Sequence, residues 1–374
     1  MTQQQPFYFR FTMILLMLAL ITLCLYFGGD LIVPIGLSML IAILLMPICQ
    51  FFERRRIPAI PAILLTLLLA VLFVGGVLYF LSSQIVSFFN DFDQIKQGIN
   101  THLHTLQGWV KQRFGLSFRE QQTMANDMLS SMKSSGQGAI GNTFSSLMGV
   151  LTMLTLLPIY TFLLLCYRHL IKQFLIDVFA PTPKHEVAAI LEESRVVIQS
   201  YMIGLLIELA IVATINAVGF LVLGIQYAIF LAVFAAILNI LPYIGMLIAS
   251  VFCMLITLTT SKNLLEPVYV LIVLLVVQFI DNNIIMPRVV GSKVKLNALM
   301  TIVGVLIGGA LCGISGMFLS IPAIAILKII FDRIESLKPW GNLLGEESKT
   351  VKKTIAGRKP KSEVGSQKPE GNQQ

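Results

Sequence analysis

The stretch PRVVGSKVKL, residues 287–296, carries Arg288, Lys293 and Lys295 between two long apolar runs, 228–260 and 297–329. As continuous helices these runs would measure about 45–50 Å, at about 1.5 Å per residue, against a hydrocarbon core of about 30 Å. If each run crosses a membrane once, the basic stretch falls outside the cell, against the rule that Lys and Arg stay on the cytoplasmic side. If each run instead folds back on itself, the stretch is cytoplasmic and the conflict disappears.

Composition places the whole chain in a bilayer. Of 374 residues, 56% are hydrophobic and only 12% charged, with mean hydropathy +0.84. Soluble domains carry about 25% charged residues. The net charge of +8 is therefore a topology signal. No soluble basic face with interleaved aromatics exists to bind nucleic acid. Cys24, Cys49, Cys166, Cys253 and Cys312 all lie in apolar segments with no CxxC pair, and read as small packing residues.

Six full spans are expected, near 11–28, 31–49, 61–82, 144–166, 202–224 and 268–286. The loop after the second is ERRRIPAIP, with Arg54, Arg55 and Arg56, which fixes it and the N-terminus in the cytoplasm. The 85–143 segment then lies outside. Ile85, Phe88, Phe92, Ile95, Ile99, Leu103 and Leu106 recur at three- and four-residue steps, the stripe of an amphipathic helix suited to a membrane surface or a subunit contact. His102 and His104, two apart, do not share a helical face, so no metal site is expected there.

Both long runs carry breaks near their middle: NILPYIG at 239–245 and GGALCGISG at 308–316. Half-segments of about 20 Å are too short to cross. The expected fold is an all-α polytopic membrane protein of six spans plus two re-entrant helical hairpins, with eight unbroken spans as the alternative. A span followed by a hairpin occurs twice in opposite orientation, an inverted repeat of the kind secondary transporters use. The expected organisation is spans 1–3 in 1–84, the external segment in 85–143, span 4 and a cytoplasmic loop in 144–200, the repeat core in 201–330, and a cytoplasmic, largely disordered tail in 331–374.

Three blocks carry a family resemblance. AAILNILPYIGMLIAS (235–250), QFIDNNIIMPRVVGSKVKLN (278–297) and GVLIGGALCGISGMFLSIPAIAILK (304–328) resemble, in order and spacing, the signatures of the AI-2E family, named for the autoinducer-2 exporter. The resemblance implies a bacterial inner-membrane protein, a homo-oligomer such as a pentamer, and a secondary transporter with a mobile domain. Its relatives are linked to autoinducer-2 export or to Na+(Li+)/H+ antiport.

Few residues could carry chemistry within the bilayer. A charge at its centre costs roughly 2.5–3.5 kcal/mol or more, so Glu208 and Asp281 are ion-coupling candidates. Their plainer roles are a paired carboxylate for Glu208 and a helix-terminal cluster, DNN, for Asp281. Asn239, Tyr243, Gln278, Asn282 and Asn283 offer neutral donors and acceptors to a small polar solute, with Pro242, Gly245, Gly309 and Gly313 shaping the hairpin tips. Asn216, eight residues from Glu208, shares its face. Phosphate-binding loops, HExxH, GxSxG and clustered His/Cys ligands are missing, so neither an enzyme nor a cofactor is expected. The expected partners are a small-molecule or ion substrate, the lipid bilayer and further copies of the chain. Export of a small polar solute leads, followed by cation/proton antiport, then a non-transporting membrane scaffold.

Overall fold

The computed structural model describes residues 6–90, 149, 152–179, 183–241, 244–261, 263, 265–289 and 296–345. Every regular element among them is helical: α1 Phe7–Phe27, α2 Gly29–Arg54, α3 Ala59–Asn90, α4 Thr152–Cys166, α5 Arg168–Val178, α6 Lys184–Val222, α7 Ala228–Asn239, α8 Ile244–Thr260, α9 Glu266–Ile280, α10 Ala298–Arg333 and α11 Lys338–Leu344. Five stretches, Gly29–Arg54, Ala59–Ser87, Lys184–Val222, Glu266–Val289 and Ala298–Arg333, are long and apolar enough to cross a membrane. The protein is an all-α, multi-pass membrane protein.

Length and composition mislead at the last of these stretches. Ala298–Arg333 is not a rod. At Cys312 and Gly313 the backbone leaves helical geometry, and Gly313 takes φ +61 and ψ −148, a region open to glycine and few others. Beyond that turn the chain returns along itself. A β-carbon built on Gly308 would meet the Gly316 carbonyl, one on Gly309 the Met317 side chain, and one on Gly304 the Ile324 side chain. Residues eight apart on a straight helix would be about 12 Å distant. The two arms therefore lie against each other, and their glycines permit the approach.

The first hairpin is α7 and α8. Phe234 and Phe252 stack with ring centroids 4.3 Å apart, and the Cys253 thiol donates to the Leu231 carbonyl at 3.9 Å. A β-carbon on Gly245 would overlap the Leu238 carbonyl, so the tip closes only around glycine there. Pro242 and Tyr243, at the turn itself, lie outside the described residues.

The hairpins enter from opposite ends of the bundle. At one end, Phe220 near the close of α6 packs on Ile225, Ala228 and Leu231 at the foot of the first hairpin. Val212, two turns back, meets Ala236. At the other end, Arg333 at the foot of the second hairpin donates to Glu193 of α6 at 2.6 Å. The second hairpin's returning arm runs beside α2 in the same direction, with Gly36 against Leu319 and Gly29 against the Cys312 thiol. Its tip thus reaches the α1–α2 turn, and its foot shares the end where α2 delivers Arg54–Arg56.

Other helices brace this frame. The Arg168 guanidinium reaches both Glu53 oxygens at 2.7 and 2.8 Å, locking the end of α2 to the α4–α5 corner, where the chain bends by 68°. A hydrogen bond from Lys184, and a second from Gln173, hold the exposed Asp177 carboxyl below the usual carboxylate range. Two boundaries differ from expectation. α3 runs unbroken to Asn90, so the 85–143 segment begins as a continuation of the third span, and its remainder lies outside the described residues. Residues 331–345 are also folded: α10 ends at Arg333, and α11 returns so that Asn297 N–H donates to Leu344 O at 2.8 Å. The rest of the tail, from 346, lies outside the described residues.

Candidate functional site

Where the first hairpin ends, three elements bring polar side chains together inside an apolar bundle. α6 supplies Glu208, only 8% exposed, and α9 leads into Asp281, 2% exposed. The Glu208 carboxyl lies within hydrogen-bonding reach of the Asp281 carboxyl. From α7, the Asn239 amide donates to Asp281 Oδ2 at 2.9 Å. One oxygen on each acid, Glu208 Oε2 and Asp281 Oδ1, has no hydrogen-bond partner among the described residues.

Local geometry explains the placement. α6 and α9 run antiparallel, with Gly219 against Val273 near one end and Val212 beside Val277 nearer the middle. One turn further, that register sets Glu208 against Asp281. The helix then passes into a π turn over Asp281–Ile285 before continuing to Val289. The DNN triplet reads as a helix-terminal cluster late in the 268–286 span. Instead the chain stays helical, because Asn283 donates to the Phe279 carbonyl at 2.8 Å and Gln278 donates to Asn282 at 3.1 Å. Such π turns are frequent at functional sites.

Two clefts meet at Asn239. The inner, about 10 Å³, is walled by Leu205, Glu208, Leu209, Ala236, Asn239 and Ile240. The outer, also about 10 Å³, is walled by Asn216, Asn239, Met246 and Gln278 among apolar neighbours. Among the described residues, no Lys or Arg lines either cleft. Asn216 is 2% exposed and its Oδ1 lacks a partner among the described residues.

Of the sequence candidates, the structure groups Glu208, Asp281, Asn239, Gln278 and Asn216. Asn282 and Asn283 are exposed and bond within their own helix. Gly245 serves hairpin closure. Gly309 and Gly313 belong to the second hairpin, which among the described residues does not touch the first. The two acids were expected as separate candidates, and their pairing went unread. The available signal was equal depth on adjacent antiparallel spans. Met246 was missed because an apolar residue at a hairpin tip carries no mark. Among the described residues no group of three His, Cys, Asp or Glu could hold a metal.

The model of the AI-2E family transporter matches residues 15–336, which takes in both hairpins and the acid pair. The chain belongs to the AI-2E transporter family. It is similar to the putative transport protein YrrI of Bacillus subtilis, 25% identical over 80% of this chain and 85% of that protein. It is 28% identical to a putative transport protein of Haemophilus influenzae, over 85% and 91% of the two chains. It is also 25% identical to the AI-2 transport protein TqsA of Escherichia coli, over 90% and 96%. The protein is a membrane transporter of this family.

Proposed function

We propose that the chain is an ion-coupled secondary transporter whose coupling site is the Glu208–Asp281 pair at the tip of the first hairpin. The observation that carries this reading is the contact between two buried carboxyl groups, tied to the hairpin by Asn239. Two bare carboxylates in contact repel, whereas one proton or one monovalent cation between them relieves the repulsion. Exchange of one for the other is the elementary act of a cation/proton antiporter. Because Asn239 reports the state of Asp281 to α7, occupancy of the pair also bears on the hairpin's position.

Reconstituted protein tests this. In proteoliposomes loaded with pyranine, an imposed Na+ or Li+ gradient drives proton movement, and Glu208→Gln lowers it at least tenfold. Wild-type flux in Glu208→Gln overturns the reading.

Export of a small uncharged polar solute is the second reading. It is supported by the similarity to the AI-2 transport protein and by the amide-rich outer cleft. Each cleft has room for about 10 Å³, the space of roughly one water molecule, which favours the ion over a solute. A solute requires the hairpin to open further.

Orientation follows the basic residues: with Arg54–Arg56 in the cytoplasm of a bacterial inner membrane, both termini are cytoplasmic and the acid pair is reached from outside past the first hairpin. The broad exposed apolar faces of α1 and α3 suit lipid and further copies of the chain.

A further inference from the structure

The outer cleft has a chemistry of its own. Asn239 donates one N–H to the Asp281 carboxyl and Gln278 one to Asn282; among the described residues no hydrogen bond is found to Asn239 Oδ1 or Gln278 Oε1. Asn216 Oδ1 has no partner among the described residues, in a side chain 98% buried by its 2% exposure. Three side-chain amides from three helices thus border one cleft, and one N–H of two of them is already engaged. Such a cleft asks for a cation or a donor-rich ligand. The neighbouring acid pair, with no Lys or Arg on either wall among the described residues, sets the sign of the field and selects a cation.

The class of cation follows from the ligands. Neutral carbonyl oxygens replace the hydration shell of alkali ions. Divalent ions draw on carboxylates and hold their waters tightly, and the outer wall offers no carboxylate. The Met246 thioether is a soft ligand and contributes shape only. Asn216 and Glu208 are eight residues apart on α6, about 12 Å, so one ion cannot touch both. Asn239 borders both clefts and stands between them.

We propose that Asn216, Gln278 and Asn239 form an outer station for a partly dehydrated alkali cation, separate from the acid pair and separated from it by the Asn239 amide. The station rests on the reading of the acid pair as the coupling site, and deepens it. An ion arriving from the Val222 end exchanges water for amide oxygens at Asn216. It then reaches Glu208–Asp281 when Asn239 swings aside.

The test uses full-length protein in pyranine-loaded proteoliposomes, with flux measured against external NaCl at constant ionic strength balanced by choline chloride. Asn216→Ala raises the Na+ concentration for half-maximal flux by about tenfold, the loss of roughly one ligand, and added Na+ overcomes the deficit. Asn216→Asp, which restores an oxygen, brings half-saturation back towards wild type. Thr214→Ala, exposed on the same helix and bonded to its own Ala210 carbonyl, changes nothing. Unchanged half-saturation in Asn216→Ala, with flux still abolished by Glu208→Gln, overturns the station and leaves the coupling site standing. A deficit in Asn216→Ala that Na+ does not overcome, with a lowered melting temperature in choline, marks a structural role and also overturns the station. Wild-type flux in Glu208→Gln overturns both.

Discussion

The two hairpins share an architecture and divide the labour. Both interrupt an apolar run, fold back on themselves and pack arm against arm. The first brings Asn239 to a buried acid pair. The second brings Cys312 and Gly313 to the α1–α2 turn, where its contacts are the Leu25 carbonyl and Gly29. Its arms meet through glycines, and among the described residues its tip holds no charged side chain. An inverted repeat therefore need not duplicate a site. One half presents polar atoms to the ion, while the other supplies a closely packed wedge between α2 and α6.

The wedge is where a single methyl group does most damage. A β-carbon on Gly316 would overlap the Gly308 carbonyl, and one on Gly308 the Gly316 carbonyl. Backbone cannot rotate aside, so the arms must part. Gly316→Ala is expected to cost about 3 kcal/mol or more, at or above the upper end of overpacking penalties, and to remove the monodisperse peak in detergent. Gly304→Ala meets only the Ile324 side chain, which can change rotamer, and is expected to cost about 1 kcal/mol. Equal melting temperatures for the two variants would break the account of how the second hairpin closes.

Asn239→Leu probes the other hairpin with the opposite signature. Leucine keeps the bulk at a half-buried position, and α7 and α8 still meet through Phe234, Phe252 and Cys253. Asp281 loses its amide donor, at about 1–3 kcal/mol for an unsatisfied buried group. Transport should therefore fall at least tenfold while the protein remains folded, measured as flux and melting temperature on one preparation. Full flux in Asn239→Leu would remove the reason for treating the first hairpin as the one with chemistry.

Much of this was legible in the chain. The breaks at 239–245 and 308–316, with the basic stretch at 287–296 between them, favoured two hairpins of opposite entry over eight unbroken spans, because charge and length acted together. Polar identity was enough to single out Glu208, Asp281, Asn239 and Asn216. Contact between them was not legible. It depends on the rotation of α6 and α9, and one helical residue turns a side chain by about 100°, while hydropathy reports only depth. The π turn at 281–285 was hidden for a related reason. Asp and Asn usually mark helix ends by bonding nearby backbone. Here those bonds run to Phe279 and between Gln278 and Asn282, within the helix. The glycines of the second break read more readily as packing than as site, and only the fold-back shows which atoms they approach.

The smallest effect concerns how each hairpin is tethered to its neighbouring helices. The first is held by Asn239 to Asp281, against α6, in a buried setting. The second is held at its foot by Arg333 to Glu193 of α6, with the two side chains 48% and 46% exposed. An ion pair that open to solvent is worth about 0–1 kcal/mol and is screened by salt. Arg333→Gln should shift the melting temperature slightly at low ionic strength, and the shift should vanish near 1 M salt, where the Debye length is about 3 Å. The Asn239→Leu deficit, arising inside the bundle, should not respond to salt in this way. A salt-independent loss in Arg333→Gln would mean that the second hairpin is tethered by packing around the Arg333 stem rather than by charge.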